Sequence, residues 1–199
     1  MKLLFKAVCC SVVISMLLSM TGFCGACDDI QSEIFRLHII ANSDSESDQQ
    51  LKLYVRDGIL EYTEELFKNC KNKEQSVQTA RNNIDLIKDK AQQLIYEYGY
   101  DYPVDAYVTT MSFNTRVYNE FTLPAGEYEA LRIVIGDGKG KNWWCVLYPA
   151  VCVPSAEGNE LNSVLNENEQ DIVENSGHYQ IKFKIVELFE YIFKLKIES

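Results

Sequence analysis

A chain of 199 residues has room for one globular domain and a short accessory segment. Hydrophobic residues make up 47% of it and charged residues 24%, a balance that builds a core and excludes a disordered polymer. The formal net charge of −10 argues against nucleic acid and anionic membrane surfaces as partners, because both would be repelled.

The first segment reads as an export signal. Lys2 and Lys6 give a basic start, Ala7 to Cys24 carry no charge, and Cys24, Gly25 and Ala26 supply small residues for a signal peptidase. The expected organisation is a signal peptide over 1–26 and a single mature domain over 27–199. Two other outcomes stay open. An uncleaved leader would tether the domain to a membrane. A lipid on Cys27 would do the same, although Cys24 stands where such sites usually have Leu. All three place the domain outside the cytoplasm.

Ile34 to Ile40 predicts a strand with Phe35, Leu37 and Ile39 on one face. After a polar turn over Ala41 to Ser47, Ser47 and Gln50 form a capping box that opens a helix. Its apolar stripe runs Leu51, Tyr54, Val55, Ile59, Tyr62 and Leu66, with Gly58 as a weak point. A second helix is expected from Asn72 to Tyr98, stopped by Gly99. The period then changes to two. Val104 to Thr110, Glu127 to Ile135 and Trp143 to Tyr148 read as strands, the last two joined by a turn that Gly136, Gly138 and Gly140 permit. Residues 155–178 are polar and poorly patterned, so a loop or a partly disordered segment is expected there. The C-terminus reads as a short strand or turn leading into an amphipathic helix, with Ile185, Leu188, Phe189, Ile192 and Leu195 inward. The fold class is α+β: an antiparallel sheet with two central helices and a C-terminal amphipathic helix.

Cys145 is the first nucleophile to test, and only His38 or His178 offers an imidazole to hold its thiolate. Nothing in the spacing requires that pairing. A Cys145–Cys152 disulfide accounts for more, because the setting is oxidising and Pro149 breaks the strand between them. Neither a zinc site nor another metal site is expected from so few ligands. Gly136 to Lys141 lacks the order and ending of a phosphate-binding loop, and Asp137 would oppose an anion. Asp44 and Asp48 fit a helix start, and no paired carboxylates emerge with Asp57. No cofactor is expected. Trp143 and Trp144 on one strand place one ring inward and the other outward or under a loop, with burial of both rings as the alternative. Aromatic and Arg side chains are the usual anchors of interfaces, and an internal salt bridge is the alternative for Arg116. Arg116, Trp143 and Trp144 are therefore the candidate partner-binding residues.

Four blocks in fixed order carry a resemblance: FRLHIIANSDS (35–45), DQQLKLYVRDGIL (48–60), FNTRVY (113–118) and LPAGEYEALRIVIGDGKGKNWWCVLYPAVC (123–152). Together they resemble the stage II sporulation protein R family of endospore-forming bacteria. Gly58, Ala150 and Val151 depart from that pattern. The resemblance implies a protein made in the forespore and exported into the space between the forespore and mother-cell membranes. There it would trigger a membrane-embedded aspartic protease, stage II sporulation protein GA, to process pro-sigma-E. A ligand of that kind is not an enzyme and takes no small-molecule substrate. The competing reading is a secreted cysteine hydrolase or envelope-modifying enzyme built on Cys145.

Overall fold

In chain order, α1 (Lys2–Glu33) precedes β1 (Phe35–Ile40), α2 (Glu46–Phe67), α3 (Lys73–Asn82) and α4 (Ile84–Glu97). Then follow β2 (Val104–Phe113), β3 (Arg116–Val117), β4 (Thr122–Leu123), β5 (Gly126–Ile135), β6 (Asn142–Tyr148), α5 (Glu167–Glu174) and α6 (Gln180–Ile197). This computed structural model describes residues 2–118, 121–152 and 160–197. It divides into two compact units. The larger holds Ser32–Ser112 and Glu127–Leu165; the other holds Met1–Gln31, Phe113–Gly126 and Asn166–Ser199.

The larger unit is a four-stranded sheet in the order β2-β5-β1-β6, packed by α2, α3 and α4. The α+β class holds, and the sheet is mostly antiparallel. One pairing is parallel: β1 lies beside β5 with Leu37 opposite Leu131 and Ile39 opposite Ile133. On its other side β1 runs antiparallel to β6, with Leu37 opposite Cys145 and His38 opposite Trp144. A central strand is covered on both faces, so all six residues of β1 are buried, not only the alternate three.

Leu37, Ile39, Leu131, Ile133 and Cys145 join Leu51, Val55 and Ile59 of α2 and Ile87, Ala91, Leu94 and Ile95 of α4 in one core. Each large aliphatic side chain so enclosed stabilises the fold by about 1.5–3 kcal/mol relative to exposure. Gly58 lets α4 come close to α2, since a Cβ there would lie 2.6 Å from a Leu94 methyl.

The structure corrects several local expectations. The N-cap of α2 is Ser45, whose hydroxyl accepts from the Asp48 N–H, and not Ser47. Tyr54 is 37% exposed, and with Tyr98, Tyr100 and Tyr102 it forms a surface ladder of ring contacts. The helix expected over 72–98 is two helices. Asn83 breaks it, because its side-chain amide donates to the Thr79 carbonyl at 2.8 Å and competes with the helical ladder.

The smaller unit contains α1 as far as Gln31, the β3–β4 ribbon, α5 and α6. Residues 160–178 are not a loop. A capping box of Asn166 and Glu169 starts α5, and Ile172 and Val173 are buried; residues 153–159 lie outside those described. The C-terminal segment is helical from Gln180, without a leading strand. Among its described side chains Phe183 and Val186 are buried, whereas Leu188 is 57% exposed; Phe189, Ile192 and Leu195 have side chains outside those described. The inward face is set by Phe23 of α1, whose ring stacks on Tyr179 at 5.6 Å and meets Phe183 edge-on at 5.3 Å. Leu4, Phe5, Val8, Ile14 and Leu18, by contrast, leave the first half of α1 apolar and exposed.

Gly136 and Gly138 have φ of 57° and 60°, the left-handed backbone that the turn needs. Gly140 is required for a different reason: a Cβ there would lie 2.2 Å from the Ser43 carbonyl oxygen. Gly140→Ala should therefore destabilise the protein by about 1–3 kcal/mol, the usual cost of overpacking. Urea denaturation checks this, and an unchanged midpoint would contradict the close approach.

Candidate functional site

The turn after β1 and the turn between β5 and β6 are tied into one knot. Asp48, 3% exposed, accepts from the Ser43 hydroxyl at 2.6 Å and the Asn42 amide at 2.9 Å. Burial by itself would raise the Asp48 carboxyl, but donors on Ser43, Asn42, Tyr102 and Ser45 outweigh it and hold the group below its ordinary value. Asn42 Oδ1 in turn accepts from the Asp137 N–H, and Asp44 Oδ1 accepts from the Lys141 N–H at 2.7 Å. The N–H groups of Lys139 and Gly140 donate to the carbonyls of Asn42 and Ala41. Lys52 closes the knot from α2, its buried ammonium donating to the Lys141 carbonyl at 3.0 Å.

This wiring decides two chemical questions. The backbone donors of the glycine-rich turn are spent inside the protein, those of Asp137, Lys139, Gly140 and Lys141 on the 41–44 segment and those of Gly136 and Gly138 on the Pro103 and Ile135 carbonyls, so they do not cradle a phosphate. Asp48 is filled by neighbouring donors, while exposed Asp57 pairs with Arg56 at 2.6 Å. These carboxylates are structural. Among the described residues no three His, Cys, Asp or Glu side chains gather to hold a metal ion.

Cys145 and Cys152 are joined in a disulfide with their Cα atoms 6.2 Å apart. Closing so short a loop stabilises the fold by roughly 2–3 kcal/mol through lost freedom of the unfolded chain. The Val146 N–H donates to the Cys152 sulfur at 3.2 Å. Cys145 lies opposite Leu37 on the helix-covered face, whereas His38 is the next residue of β1 and points to the other face. The sheet does not bring the Cys145 sulfur and the His38 imidazole together.

The two tryptophans separate in the same way. Trp143, opposite Ile39, packs against the core, and the Arg56 guanidinium lies 4.3 Å from its ring centroid. Trp144, opposite His38, stacks on that imidazole at 3.8 Å with the planes 3° apart. Arg132 is the β5 partner of His38, and its guanidinium lies 5.9 Å from the Tyr107 ring of β2. A row of Tyr107, Arg132, His38 and Trp144 thus crosses all four strands on the face turned away from α2–α4. Arg116 is elsewhere. It sits half-buried on β3 in the smaller unit, opposite Leu123, next to Thr115, whose N–H donates to the Glu187 carboxylate.

Arg132 and Tyr107 were absent from the sequence-derived candidates. Their signal was parity: each alternates with residues that face the core, so both must face the other side. His38 is 2% exposed, and its Nε2 lies 2.8 Å from Asn142 Oδ1. Burial pushes its pKa down to about 4, against the Asn142 hydrogen bond, with Arg132 and Arg36 adding to the decrease.

A neutral buried His38 has a consequence for stability. As pH falls below the ordinary 6.5, the unfolded chain takes up a proton that the folded chain refuses. Stability present above pH 6.5 should therefore decline progressively towards pH 4. His38→Phe, which keeps a flat ring against Trp144, should flatten that part of the curve in urea titrations at stepped pH.

The profile of the family described as Stage II sporulation protein R (spore_II_R) matches residues 31–158. The chain is also similar to Stage II sporulation protein R of Bacillus subtilis (strain 168), 37% identical over 123 residues. That alignment covers 62% of this chain and 55% of the relative, so the similarity spans about half of the relative's length. No solved structure matches. Because the matched span runs from the end of α1 through the sheet, the knot and the disulfide loop, this chain belongs to the stage II sporulation protein R family.

Proposed function

We propose that this protein is an exported sporulation signal that acts by binding and activates a membrane-embedded aspartic protease, stage II sporulation protein GA, which then processes pro-sigma-E. Family membership supports the sporulation role. The observation that carries the non-enzymatic reading is the disulfide. It occupies the sulfur of Cys145, the cysteine that an enzymatic mechanism would need free, on the face away from His38. A binding signal needs only unequal affinity for two receptor states. Converting a receptor from mostly inactive to mostly active takes a difference of about 5.5 kcal/mol, which a few aromatic and Arg anchors supply.

Export into the space between forespore and mother-cell membranes is the setting in which such a signal works. Lys2, Lys6 and the exposed apolar residues of α1 suit recognition as a leader. Among the described residues no helix is long and apolar enough to cross a membrane. Removal after Ala26 would take Phe23 away from Tyr179 and Phe183. Mass analysis of the exported protein should find a new terminus at Cys27, and retention of Met1 would mean a tether in place of a secreted domain.

The central test co-produces this protein, the protease and pro-sigma-E in a host that does not sporulate. Processing should appear with the exported form and not with a form lacking residues 1–26 that stays inside. Cys145→Ser should lower processing only as far as it lowers the melting temperature. Arg116→Ala and Trp144→Ala, made separately, should impair processing while the fold stays intact. A stable, inactive Cys145→Ser protein beside two fully active anchor variants would sink the reading.

A further inference from the structure

The row Tyr107–Arg132–His38–Trp144 holds polar groups that the fold leaves unsatisfied. Among the described residues, Arg132 has no salt bridge, and its buried Nε–H has no acceptor. The His38 Nδ1 is buried and likewise without a partner. With Nε2–H donating to Asn142, that Nδ1 is an acceptor. A donor and an acceptor therefore stand on adjacent strands, in register, between two aromatic rings. Orphaned polar groups are costly, and a well-packed sheet has no structural use for two of them side by side. Tyr107 is 41% exposed and Arg132 is half-buried, so the row opens to solvent on its β2 side.

We infer that this row is a recognition site for an acidic residue on an extended segment of a protein partner, its carboxylate bound by the half-buried Arg132 guanidinium beside the Tyr107 ring. This deepens the reading that the protein acts by binding and rests on it. Charge complementarity selects the occupant. Arg132, which has no salt bridge among the described residues, puts a local positive charge on this face of a chain of net charge −10. A polyanion such as nucleic acid or an acidic bilayer meets the repulsion of the whole molecule, whereas one carboxylate on a short segment feels mainly its nearest cation. The planar guanidinium between aromatic walls suits a carboxylate better than a lysine ammonium would.

The test is a titration of the full chain, labelled with nitrogen-15, with the blocked pentapeptide Val-Glu-Val-Glu-Val. Parallel titrations use its Gln counterpart, a thymidine oligonucleotide and phosphatidylglycerol vesicles. The glutamate peptide should shift the Arg132 Nε–H and Trp144 indole N–H signals saturably, and the Gln peptide should bind at least tenfold more weakly. Arg132→Gln should lose at least tenfold in affinity and Arg132→Lys an intermediate amount. Both variants should melt no lower than the parent, because neither breaks an ion pair. Equal binding of the Gln peptide, unchanged affinity of Arg132→Gln, or a response to the oligonucleotide or vesicles instead would overturn the site. The protease plays no part in this titration. If the row binds as expected while the reconstituted host shows no processing, the signalling reading fails and the site stands. If processing occurs in full with Arg132→Gln, the site is overturned as the signalling contact.

Discussion

The fold of the larger unit depends on how β1 is fixed between two neighbours of opposite direction. Its parallel partner β5 and antiparallel partner β6 are consecutive strands, so their register is set where β5 turns into β6. The Asp48 knot is the device that sets it. Asn42 and Asp44, just beyond β1, accept from backbone N–H groups of the β5–β6 turn, while Asp48 holds Asn42 and Ser43 from the first turn of α2. One buried carboxylate thereby couples the end of a strand, the start of a helix and a hairpin turn. A slip of one residue would exchange every side chain between the two sheet faces.

That register also separates the chemistry. The helix-covered face receives Leu37, Ile39, Leu131, Ile133, Cys145 and Trp143, and it is built for packing. The opposite face receives Arg36, His38, Arg132 and Trp144, an uncommon concentration of nitrogen-bearing side chains for a sheet interior. The same parity rule places the disulfide sulfur among apolar side chains and the imidazole among cations. Topology therefore sets Cys145 and His38 on opposite faces before any question of thiol reactivity arises.

The disulfide and the knot act at opposite ends of β6. The knot holds the start of the strand through Lys141 and Gly140, and the disulfide loop holds its end through Cys145 and Cys152. An edge strand offers unpaired backbone on its outer side, and fastening both ends limits its freedom to fray or to pair wrongly.

Much of this was legible in the sequence, for reasons that are local. Period-two alternation located the four sheet strands, helical spacing located α2 and most of α3 and α4, and the glycines announced the β5–β6 turn. A short spacing interrupted by Pro149 sufficed to suggest Cys145 with Cys152. The four motif blocks pointed to the family. The sequence did not reveal the parallel β1–β5 pairing, because alternation says nothing about which strand lies beside which. The helix break at Asn83 was missed because a side-chain bond to Thr79 overrides an unbroken apolar stripe. The capping box at Asn166 was missed because its few apolar residues gave no clear period. Neither Arg132 nor Tyr107 stood out, since each is an ordinary residue on an ordinary strand. Only tertiary structure aligned them with His38 and Trp144, because cross-strand neighbours are chosen by register, and register here is fixed by contacts between residues nearly a hundred positions apart.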